Sequence, residues 1–299
     1  MRCPAGHYPE SYFSKKHMQS PKDIIRHYSI TPRKSLGQCF LVDEAVIQSI
    51  AAFADAREND VVVEIGAGIG VLTEQLAQTG ARVVAVELDE GLIRVLTDRL
   101  SQYKNVEIHA GNILHFDFRS LFQTKQRQIK IVGNIPYNIS SPLLFHLLSF
   151  RDAINSFVLM MQKELVDRLT ALPGNKTYGV PSVIFQMFAD MESVLRIPAS
   201  CFYPSPRVES SVIKGGFHHK PRYALNDENH FVRLVRDAFA QRRKMLLNNL
   251  KHSRLTEGLE ESRLKDVLEK SGIDGRRRGE TLSLCEFAAL SNIMMHDKK

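Results

Sequence analysis

The chain has 299 residues, 43% hydrophobic and 24% charged, which is ordinary globular composition and enough for one large domain with a small one beside it. No apolar run approaches the roughly 20 residues of a membrane helix and no secretory signal opens the sequence, so no membrane partner is expected. The net charge of +7 is uneven: residues 1–40 carry seven Lys/Arg against two Asp/Glu, residues 41–220 carry 17 against 19, and residues 221–299 carry 16 against 12. Basic flanks on a near-neutral body suit a catalytic core that meets a polyanion, or serve solubility alone.

Residues 1–31 are polar, basic and aperiodic, and read as a flexible tail. From Ser35 the pattern alternates between strand and helix. Asp43 caps a predicted helix over 45–53. Residues 61–65 are an apolar run ending in glycines, a buried parallel strand by its lack of alternation. A helix over 70–78, a strand over 82–86, a helix over 91–100 and strands over 106–109 and 129–132 follow. A helix begins near 142, with strands over 156–161, 192–197 and 212–217 and a helix over 181–189 among them. This alternation predicts an α/β body, an open parallel sheet wrapped on both faces, over residues 32–218. Beyond a linker at 218–223 the strands stop. Amphipathic periods over 231–250, 260–271 and 282–294 predict a small all-helical domain, residues 219–299.

Cys3, Cys39, Cys201 and Cys285 are scattered without C-x-x-C spacing, so neither zinc nor a redox pair is indicated; no metal is expected, and scattered thiols fit a reducing, cytoplasmic setting.

The segment Val61-Val-Val-Glu64-Ile-Gly66-Ala-Gly68-Ile-Gly70 reads as strand, glycine turn and helix start, where free N–H groups meet a ligand. Glu87 ends the second strand 21 residues after Gly66, the place of a carboxylate that accepts from ribose hydroxyls. Either a dinucleotide or an adenosine cofactor fits so far. Glu64, in an E-x-G-x-G-x-G form, and Asn112 after the third strand, facing an adenine amine, favour S-adenosylmethionine. A nicotinamide dehydrogenase would leave Asn134–Tyr137 unexplained.

Gly133-Asn134-Ile135-Pro136-Tyr137-Asn138 follows the fourth strand and matches the N/D-x-P-Y form of amino methyltransferases. An exocyclic adenine amine is a weak nucleophile because its lone pair is delocalised. Two acceptors, the Asn134 side-chain oxygen and the Ile135 carbonyl, would hold its N–H groups, with Pro136 restricting the residue before it. Tyr137 would stack on an extruded base.

With these residues together, the chain resembles the KsgA-type rRNA adenine dimethyltransferases, whose wider group includes the Erm enzymes, from about Arg33 to the C-terminus. Lys34-Ser-Leu-Gly-Gln-Cys39-Phe-Leu41 resembles the family's G-Q-N/H-F-L opening, Met160-Met-Gln-Lys-Glu164 its M-x-Q-x-E segment, Tyr178-Gly179 its Y-G segment, and residues 201–211 its F-x-P-x-P-x-V-x-S loop. The resemblance implies a Rossmann-like class I methyltransferase domain and S-adenosylmethionine as donor. It places Cys39, Leu41, Gly66, Gly68, Glu87, Asn112 and Asn134 at the cofactor. Asn134, Pro136, Tyr137 and Phe202 fall at the reacting base, Phe202 either stacking on it or packing in the core. It implies dimethylation of two adjacent adenosines in the 3′-terminal hairpin of small-subunit rRNA and a role in late subunit assembly. Cys39 stands where Asn or His is usual, and Asn112 where Asp is common. Both departures bear on cofactor affinity.

Arg242, Arg243 and Lys244, read on the long C-terminal helix, and Arg276, Arg277 and Arg278, in a glycine-flanked turn, are candidate phosphate contacts to a folded RNA, with a solvated helix face as the plain alternative. A monomer is the default. An Erm-like enzyme on large-subunit rRNA and a non-catalytic RNA-binding assembly factor remain the alternatives.

Overall fold

The computed structural model describes residues 20–121 and 129–296. Its centre is a seven-stranded sheet in the order β4-β3-β2-β5-β6-β9-β7. The strands are β2 (Val61–Ile65), β3 (Arg82–Glu87), β4 (Val106–Ala110), β5 (Ile129–Asn134), β6 (Ile154–Gln162), β7 (Ala189–Ile197) and β9 (Ser210–Phe217). The first five pair in parallel, whereas β9 runs antiparallel between β6 and β7. The sheet is therefore mixed rather than wholly parallel. Residues 198–209, which carry β8, turn the chain back so that β9 runs antiparallel beside β7. A separate pair joins β1 (Phe40–Leu41) to β8 (Phe202–Tyr203).

Every residue of β2 is buried, as its unalternating apolar run requires of a strand covered on both faces. Around the sheet lie α2 (Glu44–Ala54), α3 (Val71–Ala77), α4 (Glu90–Leu100), α5 (Ser140–Ser149), α6 (Lys163–Leu169) and α7 (Val180–Phe188). The Asp43 carboxylate accepts from the Val46 N–H at 3.1 Å, a cap worth about 1 kcal/mol. One end of the central sheet collects the C-termini of β2, β3, β4 and β5, and the strand order reverses beside β2, the usual crevice for a ligand.

Two expectations change. Within the segment read as tail, α1 (Pro21–His27) forms: the Ser20 side chain caps it, Pro21 occupies its first turn, and Ile24 and Ile25 are buried against α2 and its neighbours. Residues 1–19 lie outside the described part. The single long helix over 231–250 is two helices, α8 (Glu228–Ala238) and α9 (Leu246–Lys251). The Asn249 amide donates to the carbonyls of Ala238 (2.8 Å) and Gln241 (3.1 Å), so the end of α8 finds side-chain partners and the chain turns. Arg242, Arg243 and Lys244 lie in that turn, not on a helix. With α10 (Glu261–Lys270) and α11 (Leu284–His296) these helices form the C-terminal unit. Its core is continuous with the sheet's: Phe185 and Phe188 of α7 belong to one cluster with Phe231, Leu234 and Phe287. The buried Tyr178 hydroxyl donates to the Leu282 carbonyl at 3.0 Å across the same junction.

Candidate active site

A cleft of about 170 Å³ opens at the C-terminal ends of β2, β3, β4 and β5. Its floor is the turn from β2 into α3. Gly66, Gly68 and Gly70 all adopt positive φ (68°, 59° and 77°), a conformation that disfavours side chains. A Cβ at Gly66 would meet nothing closer than 3.7 Å, so glycine there keeps space open beside Asn134 and Pro136. Behind the loop, the buried Arg99 of α4 donates to the Ile69 carbonyl and pairs with Glu74 at 2.9 Å, bracing the turn.

Glu87 stands at the end of β3 and is 8% exposed. One carboxylate oxygen accepts from the Leu88 and Asp89 N–H groups (2.8 and 2.9 Å) and the other from Gly68 N–H (2.8 Å). The charge is thus held by three backbone donors, and a carboxylate with about four lone-pair sites retains one for a ribose hydroxyl. Engaging both hydroxyls requires exchanging one of the three backbone bonds. Glu64 is buried beneath the loop with Oε2 unpartnered, and desolvation, with the nearby Glu87 charge adding, pushes its pKa up to about 8. At neutral pH it is a neutral acid. Asn112 lines the cleft wall, its side-chain oxygen accepting from Leu114 N–H at 3.0 Å. That oxygen keeps a second lone pair, and the amide NH2 has no partner among the described residues.

Residues 33–41 cross the cleft. Gln38 donates to the Asp89 carboxylate at 2.9 Å and Arg33 lies 3.3 Å from it, tying one end to the turn after β3. At the other end the Cys39 carbonyl accepts from Asn134 Nδ2 at 2.9 Å. This bond fixes the Asn134 amide, so that Oδ1 remains as an acceptor. The Ile135 carbonyl receives no hydrogen bond among the described residues, while the Ile135 N–H donates to Met160 O at 2.9 Å and anchors the turn. Asn134 Oδ1 therefore stands free at the cleft, and the Ile135 carbonyl beside it is unpartnered but covered, Ile135 being 0% exposed. Pro136 and Tyr137 line it, and the Tyr137 hydroxyl bonds Ser210 Oγ at 2.8 Å. Burial raises the Tyr137 pKa, so the phenol stays protonated. Burial likewise raises the Cys39 thiol, which favours the thiol over the reactive thiolate.

The structure brings Cys39, Gly66, Gly68, Glu87, Asn112, Asn134, Pro136 and Tyr137 together around one cleft. It does not bring Leu41 or Phe202 there: they face each other in the β1–β8 pair and are buried in the core, 6% and 4% exposed. Phe40 and Leu88 line the cleft and were missed; alternation within the Phe40-Leu41 pair sends Phe40 to the glycine turn and Leu41 inward.

The six basic residues on the C-terminal unit also sort into two groups. The Leu246 N–H donates to Arg277 O (2.7 Å) and Leu247 N–H to Gly275 O (3.0 Å), so the two runs lie side by side. Arg242 pairs with Glu280 at 2.8 Å, Arg276 with Asp274 at 3.0 Å, and Arg277 with Glu286. Arg243, Lys244 and Arg278 are exposed and have no ionic partner among the described residues.

The profile of the ribosomal RNA adenine dimethylase family matches residues 30–290. The chain belongs to the ribosomal RNA adenine dimethylase family. It is 44% identical over 276 residues to ribosomal RNA small subunit methyltransferase A of Syntrophus aciditrophicus (strain SB), covering 92% of this chain and 98% of that protein. With the Geobacter metallireducens protein of the same name it shares 47% over 272 residues, covering 91% and 98%. Among solved structures, a dimethyladenosine transferase from Plasmodium falciparum superposes with a TM-score of 0.72 at 26% identity, covering 83% of this chain and 94% of that one. The 23S rRNA methyltransferase ErmE shares the fold, with a TM-score of 0.67 at 22% identity, covering 86% and 99%. This family membership identifies an rRNA adenine dimethyltransferase with the Rossmann-like α/β methyltransferase fold. No helix among the described residues is long and apolar enough to cross a membrane.

Proposed function

We propose that this enzyme transfers methyl groups from S-adenosylmethionine to the N6 amines of two adjacent adenosines in the 3′-terminal hairpin of small-subunit rRNA, acting in the cytoplasm as a monomer during late subunit assembly. The observation that carries the reading is the match over nine-tenths of the chain with relatives named for small-subunit rRNA, joined to the Asn134 amide oriented so that its Oδ1 is left as an acceptor at the cleft.

The residues fit the cofactor: three left-handed glycines leave room above β2, Glu87 keeps an acceptor site, and Asn112 offers both an acceptor and a donor to an adenine edge. The sulfonium supplies an electrophilic methyl group, so positioning rather than a strong base is what the protein must provide. Asn134 Oδ1 and Ile135 O accept the two N–H groups of the target amine. This favours a pyramidal nitrogen with its lone pair free and stabilises the positive charge that develops there. Pro136 holds the backbone of Ile135, and Tyr137, with its hydroxyl tied to Ser210, presents a ring to the extruded base. Arg243, Lys244 and Arg278 contact phosphates, setting orientation without reading sequence. Phe202 joins the base stack only if it leaves its core packing.

Labelled methyl transfer to unmethylated small subunits and to large-subunit rRNA, side by side, tests the substrate. Preferred transfer to the large-subunit RNA overturns the reading.

A further inference from the structure

The loop 203–209 begins and ends on partners of the cleft. At its start, Tyr203 pairs in register with Phe40, which lines the cofactor cleft and whose ring lies 3.5 Å from where a Cβ on Gly68 would stand. Directly paired residues of an antiparallel ladder share a face. Tyr203 therefore projects to the cleft side of the β1–β8 pair, whereas Phe202 and Leu41 project into the core. At the loop's end, Ser210 bonds the Tyr137 hydroxyl. The segment is thus tied at both ends to residues that line the cleft. Tyr203 is 48% exposed and Val208 45%, two of six large hydrophobics that stand exposed among the described residues, and Arg207 in the same loop is exposed with no partner among the described residues. An exposed aromatic and an unpaired cation on one short loop tied to a site for an extruded base have the make-up of a stacking platform for single-stranded nucleic acid.

We propose that Tyr203 stacks on the unpaired nucleotide adjoining the target adenosine, with Arg207 against the phosphate between them. This rests on the RNA-methylating function proposed above. Where two neighbouring adenosines are modified, the platform holds one while the other is in the cleft, then exchanges them. Tyr203 acts as a positioning residue: it touches the neighbouring base, not the reacting nitrogen.

The test is methyl-transfer kinetics on unmethylated small subunits with Tyr203→Phe, Tyr203→Leu and Tyr203→Ala, each checked by thermal melting and by calorimetric cofactor affinity. Stacking of one base is worth roughly 5- to 100-fold. Leu and Ala are expected to raise KM for the RNA by that factor, with unchanged cofactor affinity, and Phe to match the wild type. The chain contains no tryptophan, so Tyr203→Trp also installs a single fluorescent reporter. Its emission is expected to be quenched by protein-free small-subunit rRNA. A KM for Tyr203→Ala within twofold of wild type, equal behaviour of Leu and Phe, or unquenched emission while filter retention shows the RNA bound, overturns the proposal. Absence of methylation by the wild-type protein would instead refute the underlying function.

Discussion

The bond between Asn134 and Cys39 makes a prediction that separates orientation from mere acceptor chemistry. Asn134→Asp keeps an oxygen to receive the target amine but replaces the Nδ2 donor, 2.9 Å from the Cys39 carbonyl, with a second oxygen. The lost hydrogen bond costs about 1 kcal/mol, and leaving the carbonyl against an acceptor adds about 1–3 kcal/mol. Because Asn134 is only partly buried, the lower end applies. About 2 kcal/mol corresponds to roughly a 30-fold fall in kcat/KM. The carboxylate is expected to rotate or residues 33–41 to detach, so cofactor affinity falls with activity. Asn134→Ala, lacking both groups, is expected to fall further. The assay is steady-state methyl transfer with small subunits, paired with calorimetry of cofactor binding and a melt to confirm folding. An Asn134→Asp enzyme within threefold of wild-type kcat/KM would refute the reasoning, because it would show that an oxygen suffices without the carbonyl that aims it.

Three further outcomes are expected. Glu64 has a folded-state pKa near 8, raised by burial above its ordinary 4.5; the folded state then binds more protons than the unfolded one between those values, so this group's contribution to stability is lost as pH rises from about 4.5 to about 8. Glu64→Gln should melt like wild type at pH 4.5 and higher than wild type at pH 8.5, and parallel shifts at both pH values contradict the assignment. Gly70→Ala forces a side chain into φ 77° with its Cβ 2.8 Å from Leu96 Cδ2, and should lose about 2–4 kcal/mol in denaturant melts; a loss under 1 kcal/mol would show that the loop relaxes freely. On the basic face, neutralising Arg243, Lys244 or Arg278 should reduce the slope of log affinity against log salt by about 0.7–0.9 per phosphate contact, whereas Arg242→Gln, Arg276→Gln and Arg277→Gln, which break internal ion pairs, should change that slope less; equal slopes for both groups contradict the division.

The site was legible where chemistry is written in adjacent residues. The glycine turn, Glu87 and Asn134–Tyr137 each follow a strand whose apolar run marks its end, and parallel strands bring those ends together. Side-chain direction was less legible. A two-residue strand sends Phe40 and Leu41 opposite ways, and only the pairing with Tyr203 and Phe202 shows which faces the cleft. The apolar period running through 231–250 concealed a break, because it is made by Asn249 reaching back to the carbonyls of Ala238 and Gln241 rather than by proline or glycine. The first helix did carry a signal, Ser20-Pro21 with Asp23 in the first turn, which a basic, polar context masked. Likewise, three of the six cations are committed to carboxylates; the partner of Arg276, Asp274, lies two residues away, but those of Arg242 and Arg277, Glu280 and Glu286, lie outside the basic runs and only the fold brings them together.

The central claim is tested most directly by incubating this protein with labelled S-adenosylmethionine and small subunits lacking the hairpin methyl groups, then identifying the modified nucleosides by mass. The account predicts dimethyladenosine at two adjacent positions of the 3′-terminal hairpin, abolished in Asn134→Ala. No dimethyladenosine in that hairpin, with the cofactor bound by a folded protein, would contradict it.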